Sequence, residues 1–459
     1  MFKHIRLNRG LDIPIAGAAE LNIGKTIIPE MIALKPTDFK RVIPKLDVKE
    51  GDVVKAGTIV FHDKNRPEIG FASPCSGTVT EIVRGEKRKL LEIRIKADKE
   101  NDYIHFDTLD ISKASKENIT TLLLSSGLWV YIKQRPYGTI ANPNDIPKAI
   151  FISGFHSSPL APNVNFTLKD EHKNLQTGVD VLNKLTNGGV HIGLDYNNYS
   201  ESPLYKLNNV KYYGFSGPHP AGNVGIQIHH INPIQKGEIA WTIDPENVAA
   251  IGRLFNNGVY DLQRLIAIAG PRVLKPCYVK GVPGMNIKSI SEFINNDTNE
   301  IYGQQVGTRY ISGDALTGKP INNDGYLGFY DNQITVLSEG NYYELFGWAK
   351  PCRPKKFSFS HSYCSWLFPK KKINLDTNLN GGHRAFVVTG LYEKVLPMDI
   401  FPVYLLKAIL AENIDKMEEL GIYEVIEEDL ALCEFVCPSK IDVQSIISNG
   451  IEIMIKEMA

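Results

Sequence analysis

The chain has 459 residues, too many for one hydrophobic core, so several domains are expected. Its 51 lysines and arginines equal its 51 aspartates and glutamates, and this balance provides no global field that would favour nucleic acid. Six scattered cysteines indicate no disulfide framework and are typical of a reducing cytosolic setting.

No export or membrane-spanning segment is expected. Residues 1–6 open no apolar signal region. No stretch approaches the roughly 20 apolar residues of a membrane span, so any tie to a membrane is expected to run through partners or surface contact.

Short strands and glycine turns dominate the first hundred residues. Residues 42–58 alternate in polarity and turn at glycine, and 73–79 follow after a gap of hairpin length. These two segments resemble a biotinyl or lipoyl carrier, which predicts a barrel-sandwich domain over 1–105.

The carrier resemblance lacks the residue that a carrier modifies. Alignment on Pro74 and Gly77 puts Arg66 at the hairpin tip, where a carrier needs a lysine. Arginine cannot take the modification, and Lys64 is two residues away. We therefore interpret this domain as a docking module; a carrier would instead show a covalent mass increment on Lys64.

Strands alternate with helices over 106–266, and this pattern predicts a Rossmann-like parallel sheet. A helical run within 117–135 is expected to end at Arg135-Pro136. Asp244 followed by Pro245 predicts the start of another helix. The predicted strands are 149–154, 189–194, 211–215 and 239–243, and a further helix is predicted over 175–185.

The glycine-rich segment 217–225 is poor support for NADH binding. Its spacing is not G-x-G-x-x-G, and Pro218 and Pro220 remove amides that a phosphate would use. Three nearby histidines have the side-chain chemistry of metal ligands or proton carriers. In an extended segment His229 and His230 point in opposite directions, so we expect structural roles for both and for His219.

A locally basic and aromatic connector is predicted over 341–380. Runs of this kind are usually solvated loops, although near a membrane they meet anionic headgroups or acidic partner loops. Its Cys352, His361 and Cys364 lack the fourth ligand that zinc needs.

The C-terminal part holds half of an iron–sulfur motif. Cys433 and Cys437 followed by Pro438 match the end of C-x2-C-x2-C-x3-C-P, but the first two ligand positions hold Glu427 and Leu430. A second run before Pro397 has no cysteine at 386, 389, 392 or 396. Two thiolates cannot hold a four-iron cluster, so the cysteines are expected to be buried small hydrophobes.

The chain resembles the A-subunit family of the sodium-translocating NADH:quinone reductase, which is related to the C subunit of the Rnf complex. The resemblance runs over essentially the whole chain. It is carried in order by residues 10–17, 217–222, 344–349, 392–399 and 427–438.

The resemblance implies a multidomain α/β plus β protein. Beside the first two domains, it implies a β-grasp domain of the soluble-ligand-binding type over 267–340. It further implies a helical domain of degenerate ferredoxin type over 381–459, in which Cys433 and Cys437 are remnants of a lost cluster site.

The same resemblance implies a peripheral subunit on the cytoplasmic face of the bacterial inner membrane. This chain is expected to hold no cofactor, metal or catalytic residue, with flavins and the iron–sulfur centre in partner subunits. Its expected role is as scaffold, with quinone as a ligand. Core packing is one interpretation of the aromatic segment at 129–137; the other is quinone contact by Trp129, Tyr131, Arg135 and Tyr137.

Two other classes of protein also fit the sequence. A stand-alone electron-transfer protein that binds flavin or NADH would show a flavin or cluster absorbance band. A biotin-type carrier would be modified at Lys64.

Overall fold

The computed structural model describes residues 2–295, 299–301, 304–342, 344–347, 350, 353, 356–361, 363–368 and 370–458. In chain order, the strands in this part of the chain are β1 Lys3–Arg6, β2 Ile23–Thr26, β3 Met31–Leu34, β4 Pro44–Leu46, β5 Val53–Val54, β6 Ile59–Asp63, β7 Arg66–Ala72, β8 Gly77–Arg84, β9 Leu90–Ala97, β10 Lys133–Arg135, β11 Thr139–Ile140, β12 Ile150–Ser153, β13 Val190–Asp195, β14 Val210–Ser216, β15 Ala240–Thr242, β16 Arg264–Ala269, β17 Cys277–Gly281, β18 Asn299–Ile301, β19 Gln304–Val306, β20 Thr308–Ser312, β21 Lys319–Ile321 and β22 Gln333–Ser338. The α-helices are α1 Lys116–Ser125, α2 Val164–Thr167, α3 His172–Asn183, α4 Val224–Ile231, α5 Pro245–Asn257, α6 Tyr392–Val395, α7 Pro402–Leu410, α8 Ile414–Glu419, α9 Glu427–Val436 and α10 Val443–Met458.

A seven-stranded sheet organises the α/β part of the chain. Its order is β1-β14-β13-β12-β15-β10-β11, and the first five strands run parallel. The predicted strands and the helix after Asp244 are confirmed within one or two residues. The order β14-β13-β12-β15 reverses direction at β12, as in doubly wound folds.

The barrel-sandwich part consists of two small sheets. The four-stranded sheet has the order β3-β9-β8-β5, and the three-stranded sheet has the order β4-β6-β7. Lys64 and Asn65 form the exposed turn between β6 and β7. Arg66 begins β7 and donates to the Asp63 carboxylate and the Ile140 carbonyl.

A six-stranded mixed sheet follows, with the order β2-β17-β16-β22-β20-β21. Its core contains Ile266, Val279, Ile334 and Val336, none of which exposes any surface. A 3-10 helix covers Ile287–Phe293 beside this sheet.

The first 26 residues lie outside the barrel-sandwich sheets. Strand β1 pairs with β14 of the seven-stranded sheet, and β2 pairs with β17 of the six-stranded sheet. Residues 3–6 and 23–26 thus bind domains predicted to start more than 100 residues later, and they tie the N-terminal segment to two sheets at once.

The helical run predicted within 117–135 divides into three pieces. Helix α1 ends at Ser125, a 3-10 turn covers Trp129–Tyr131, and β10 follows. Gly127 has a φ of 76°, a left-handed conformation that ends a helix. Pairing of β10 between β15 and β11 then fixes Lys133–Arg135 as a strand.

Helices α6 to α10 pack together in the C-terminal part, around a core that includes Leu405, Leu430, Cys433 and Ile447. No helix in the described part of the chain is both long and apolar enough to cross a bilayer.

Candidate functional site

The first turn of α9 contains the two positions, 427 and 430, at which the iron–sulfur motif lacks cysteine. Glu427 accepts from the Lys40 ammonium at 2.5 Å, and Leu430 is completely buried. Three acidic residues, 427–429, stand in this turn, where the positive end of the helix dipole stabilises carboxylates. Of these two positions, Glu427 therefore forms an ion pair and Leu430 packs in the apolar core.

Both cysteines of the half motif are buried. Cys433 lies inside α9 and Cys437 follows its last residue, so the two lie about one turn apart. Burial raises the pKa of the Cys433 thiol far above its ordinary value, so this thiol stays protonated. No set of three or more metal-ligating side chains is found in the described ranges.

Arg135 is the centre of the joint between the seven-stranded sheet and α9. The side chain is 2% exposed, and it lies 2.6 Å from both the Asp429 and the Glu428 carboxylates. The Asp429 carboxylate also accepts from the Ile426 backbone amide at 3.0 Å. Burial alone disfavours the charge, but Asp429 and Glu428 outweigh it and raise the pKa of Arg135. Arg135 is therefore charged although it is buried, and we call it the buried tie between the seven-stranded sheet and α9.

Helix α4 packs on the same joint because Gly225 has no side chain. A Cβ there would lie 2.4 Å from both Arg135 Nη1 and Asp429 Oδ1. One residue before the helix, the Asn223 amide donates to the Glu428 carbonyl at 3.2 Å.

The paired histidines of α4 bind the C-terminal helices. His229 Nδ1 donates to the Glu424 carboxylate at 2.7 Å, and His229 Nε2 accepts from the Asp399 amide at 3.0 Å. His230 Nε2 donates to the Pro397 carbonyl at 2.8 Å. The extended conformation considered from the sequence is wrong, because 224–231 is helical.

The loop before α4 is held by the N-terminal segment. The His219 amide donates to the Asp12 carboxylate at 2.9 Å, and the Leu11 amide donates to the His219 carbonyl at 2.8 Å. Ser157 Oγ accepts from the Gly222 amide and lies within hydrogen-bond distance of His219 Nδ1, 3.0 Å away. Burial lowers the pKa of His219 despite the nearby Asp314 and Asp12.

Gly10 permits this contact. Its φ is 139°, and a Cβ there would lie 2.2 Å from the His219 carbonyl oxygen. The segments 10–17 and 217–222, which carry part of the family resemblance, are thus in direct backbone contact.

The four quinone-contact candidates differ in exposure. Trp129 and Tyr131 are 0% and 1% exposed, and Arg135 is the buried tie described above. Trp129 packs edge-on against Trp241 at 5.5 Å, and Tyr131 stacks on Phe329 at 4.9 Å. Tyr137 alone of the four is half-buried.

Tyr137 leads to an open cleft. Its ring lies 6.5 Å from that of Tyr423, and Tyr423 lines a cleft of about 300 Å³. The cleft also contains Ile400, Phe401 and Leu420 together with the carboxylates of Glu418 and Glu424. This volume is at the lower end of small-molecule sites.

A second cleft lies at the carboxyl ends of β12 and β13. It measures about 130 Å³ and is lined by His156, Asn163 and Asp195 among others. This volume is below the roughly 300 Å³ at which sites for drug-sized ligands start.

Sequence reasoning missed Asp12, Lys40, Glu424 and the buried pairing of Asp429. The acidic turn at 427–429 was a local sign of a helix start, but nothing local indicates which cations it meets.

Cys352, Trp348, Ala349 and Lys355 of the predicted connector lie outside the described residues.

Comparison with known proteins gives one consistent family. The NqrA N-terminal barrel-sandwich hybrid domain matches residues 5–98, which confirms that part of the predicted fold, and the NqrA second alpha/beta domain matches residues 114–260. Three relatives are named as the A subunit of the Na(+)-translocating NADH-quinone reductase. The protein of Histophilus somni (strain 2336) is 36% identical over 95% of this chain and 96% of its own length. Those of Haemophilus influenzae (strain PittEE) and Neisseria meningitidis serogroup A are 35% and 36% identical, each over 99% of this chain and 100% of their own length.

Among solved structures, an NAD+-reducing NiFe hydrogenase in its H2-reduced state is 11% identical to this chain. The match covers 75% of this chain and 62% of that one, with a TM-score of 0.38, which is too low to bear on fold or function.

Proposed function

Since the chain belongs to the A-subunit family of the Na(+)-translocating NADH-quinone reductase, we propose that it is the scaffold subunit of such a complex. The complex couples NADH oxidation and quinone reduction to sodium export. In this proposal the chain holds partner subunits in position and carries no redox centre of its own.

The use of α9 is the single observation that carries the scaffold role. Glu427, Glu428 and Asp429 join this helix to Lys40 of the barrel-sandwich part and to Arg135 of the seven-stranded sheet. These ion pairs hold α9 rigidly against both parts of the chain. A subunit that binds several partners needs surfaces that are fixed relative to each other in this way. The flavins and the iron–sulfur centre belong, in this proposal, to those partners.

Two finer assignments of fold are part of the proposal. The six-stranded sheet would be a β-grasp unit, supported by its mixed strand directions. Helices α6 to α10 would be a ferredoxin-type domain without clusters, supported by the position of Cys433 and Cys437 at the end of α9.

Co-purification tests the scaffold role. An affinity-tagged full chain, solubilised gently from its own membranes, should bring down the other subunits with NADH:quinone reductase activity. The chain purified alone should be colourless. Stoichiometric flavin or iron in the isolated chain would reject the proposal and favour the stand-alone electron-transfer protein.

We propose further that Tyr137 lies at a quinone contact, with the headgroup in the cleft lined by Phe401, Leu420 and Tyr423. Ile400, Phe401 and Leu420 give the cleft apolar surface for an aromatic ring, and Lys236, which also lines it, offers a donor for a quinone carbonyl. The other three candidates, Trp129, Tyr131 and Arg135, are buried, so Tyr137 is the residue to test.

A titration with a soluble short-chain quinone tests this contact. Tyr137→Ala should weaken saturable binding to the isolated chain by about tenfold, because an aromatic contact and its buried area are lost. Tyr103→Ala is a matched control, since Tyr103 is also half-buried but lies in the barrel-sandwich part. An absent response in the parent chain, or equal losses in both variants, would reject the assignment.

The proposed location is the cytoplasmic face of the bacterial inner membrane, where partner subunits hold the chain. The family relationship and the shared name of the relatives support this placement.

A further inference from the structure

Three large apolar side chains protrude side by side from the connector. Trp366, Leu367 and Phe368 are 53%, 55% and 54% exposed. Single exposed apolar residues are common on proteins, but a consecutive set beside a cationic run indicates an interaction surface.

Three lysines follow after Pro369. Lys370, Lys371 and Lys372 are exposed, and the Lys371 amide donates to the Phe368 carbonyl at 2.9 Å. The lysines are therefore close to the apolar residues along the chain. We call 366–368 with 370–372 the aromatic–lysine tip.

The tip is attached to the body of the protein on both sides. Before it, Phe357 stacks on Phe435 of α9, with ring centroids 6.1 Å apart. After it, the Ile373 amide donates to the Pro14 carbonyl at 2.7 Å, and the Ile373 carbonyl accepts from the Ala16 amide at 3.0 Å. These contacts attach the connector to the body of the protein at Phe357 and at Ile373.

Three other cations among the described residues of the connector are paired. Arg353 and Lys350 pair with Glu344, and Lys356 lies 3.5 Å from Asp376. By contrast, in the part of the chain that the structure describes, no carboxylate pairs with the three tip lysines. Their charge is available to an external anion.

We propose that the aromatic–lysine tip binds directly to the anionic surface of a lipid bilayer. Trp366 and Phe368 would enter the headgroup region, and Lys370–372 would pair with lipid phosphates. This goes beyond the proposed function, in which partner subunits alone hold the chain at the membrane.

The composition of the tip matches the physical demands of a bilayer surface. Tryptophan concentrates at the boundary between lipid and water, because its ring is apolar and its N–H can still reach a polar partner. Lysines near an anionic leaflet each add attraction, and reversible membrane binding becomes useful when an apolar and a basic signal act together. An acidic loop of a partner protein would satisfy the lysines, but it would leave three adjacent apolar side chains to find separate pockets.

Vesicle sedimentation with the full chain tests the proposal. The chain should sediment with vesicles of phosphatidylglycerol and phosphatidylcholine in equal parts, and it should stay in solution with phosphatidylcholine alone. Added salt should weaken the binding, because screening shortens the range of the lysine charges.

Two variants and one matched control locate the binding surface. The triple variant Lys370→Gln, Lys371→Gln, Lys372→Gln should bind at least about tenfold more weakly. Leu367→Ser with Phe368→Ser should also bind about tenfold more weakly. The control replaces Lys87, Arg88 and Lys89 by Gln, which removes the same charge from three consecutive exposed positions elsewhere. It should bind like the parent chain.

Tryptophan emission gives a second readout. The chain has four tryptophans, of which Trp129 and Trp241 are fully buried and Trp348 lies outside the described residues. Adding anionic vesicles should give a blue shift that Trp366→Phe removes while most binding remains and that Trp348→Phe leaves in place. The proposal is overturned if the parent chain ignores anionic vesicles or if the control loses as much binding as the tip lysine variant. It is also overturned if the tip lysines matter only for co-purification of protein partners.

Discussion

Arg135 Nη1 and Asp429 Oδ2 lie 2.6 Å apart, although 294 positions separate the two residues in the chain. Their side chains are 2% and 0% exposed. This ion pair joins β10 of the seven-stranded sheet to the first turn of α9, so loss of either partner should weaken the contact between these two parts of the molecule.

Arg135→Gln should destabilise the protein by about 3–5 kcal/mol, because it leaves the Asp429 carboxylate buried without its counter-charge. Urea unfolding followed by circular dichroism measures this. Replacing both partners by apolar residues, as in Arg135→Met with Asp429→Leu, should recover a substantial part of the loss.

Lys40→Gln is the control for that experiment. It removes a cation that binds the same helix, but the Lys40 side chain is 44% exposed. Its expected cost is about 1 kcal/mol or less. Equal costs for Lys40→Gln and Arg135→Gln would show that burial of the ion pair does not matter.

Gly225→Ala should also destabilise the protein, by about 1–3 kcal/mol, because the added methyl group would overlap the buried ion pair. Helix propensity acts in the opposite direction and favours alanine by up to about 1 kcal/mol. Gly307→Ala is a suitable control, since a Cβ there meets nothing within 4 Å. A more stable Gly225→Ala protein would contradict the close approach of α4.

Stability should fall as the pH is lowered below about 6.5. Burial lowers the pKa of His219 and of His230 in the folded chain, so between the folded and unfolded pKa values the unfolded chain binds more protons. Over that pH range each histidine lowers the free energy of unfolding by up to about 1.4 kcal/mol for each pH unit of acidification. The full stabilisation from each buried neutral histidine is present above the unfolded pKa. Unfolding free energies measured across this range give the slope.

His230→Gln should reduce that slope, because the amide can still donate to the Pro397 carbonyl but does not titrate. A slope that is the same in His230→Gln as in the parent chain would contradict the contribution of His230.

Cys433 should resist alkylation in the native protein. Burial holds this thiol in its protonated form, and the thiolate is the reactive species. Cys75, whose pKa burial raises to about 12, should behave alike. Half-exposed Cys364 provides the comparison. Iodoacetamide labelling read by peptide mass spectrometry should find Cys433 modified only after unfolding; native labelling as fast as at Cys364 would disprove this.

Local sequence was enough for the regular α/β elements. The strand predicted at 189–194 is observed at Val190–Asp195, and Asp244 with Pro245 indicated the start of α5. Apolar periodicity and a proline in the first turn act over a few residues, so the sequence alone carries them. The helical run within 117–135 failed because partners distant in sequence make Lys133–Arg135 a strand.

The incomplete ligand motif was likewise readable from the sequence, since ligand number is a property of residue identity. Glu427 and Leu430 stand where the motif has two cysteines. The contacts that these residues make in the fold were not readable. Lys40 and Arg135 reach α9 from parts of the chain nearly 400 and 300 positions away.

The sequence by itself determined the family, the alternating elements and the missing ligand set, because each is written in residue identity and short-range spacing. Only the tertiary structure decided that Trp129 and Tyr131 are core, that Arg135 is a buried tie and that 366–372 protrude. Burial and charge pairing depend on which distant segments meet in space, and a linear pattern does not contain that information.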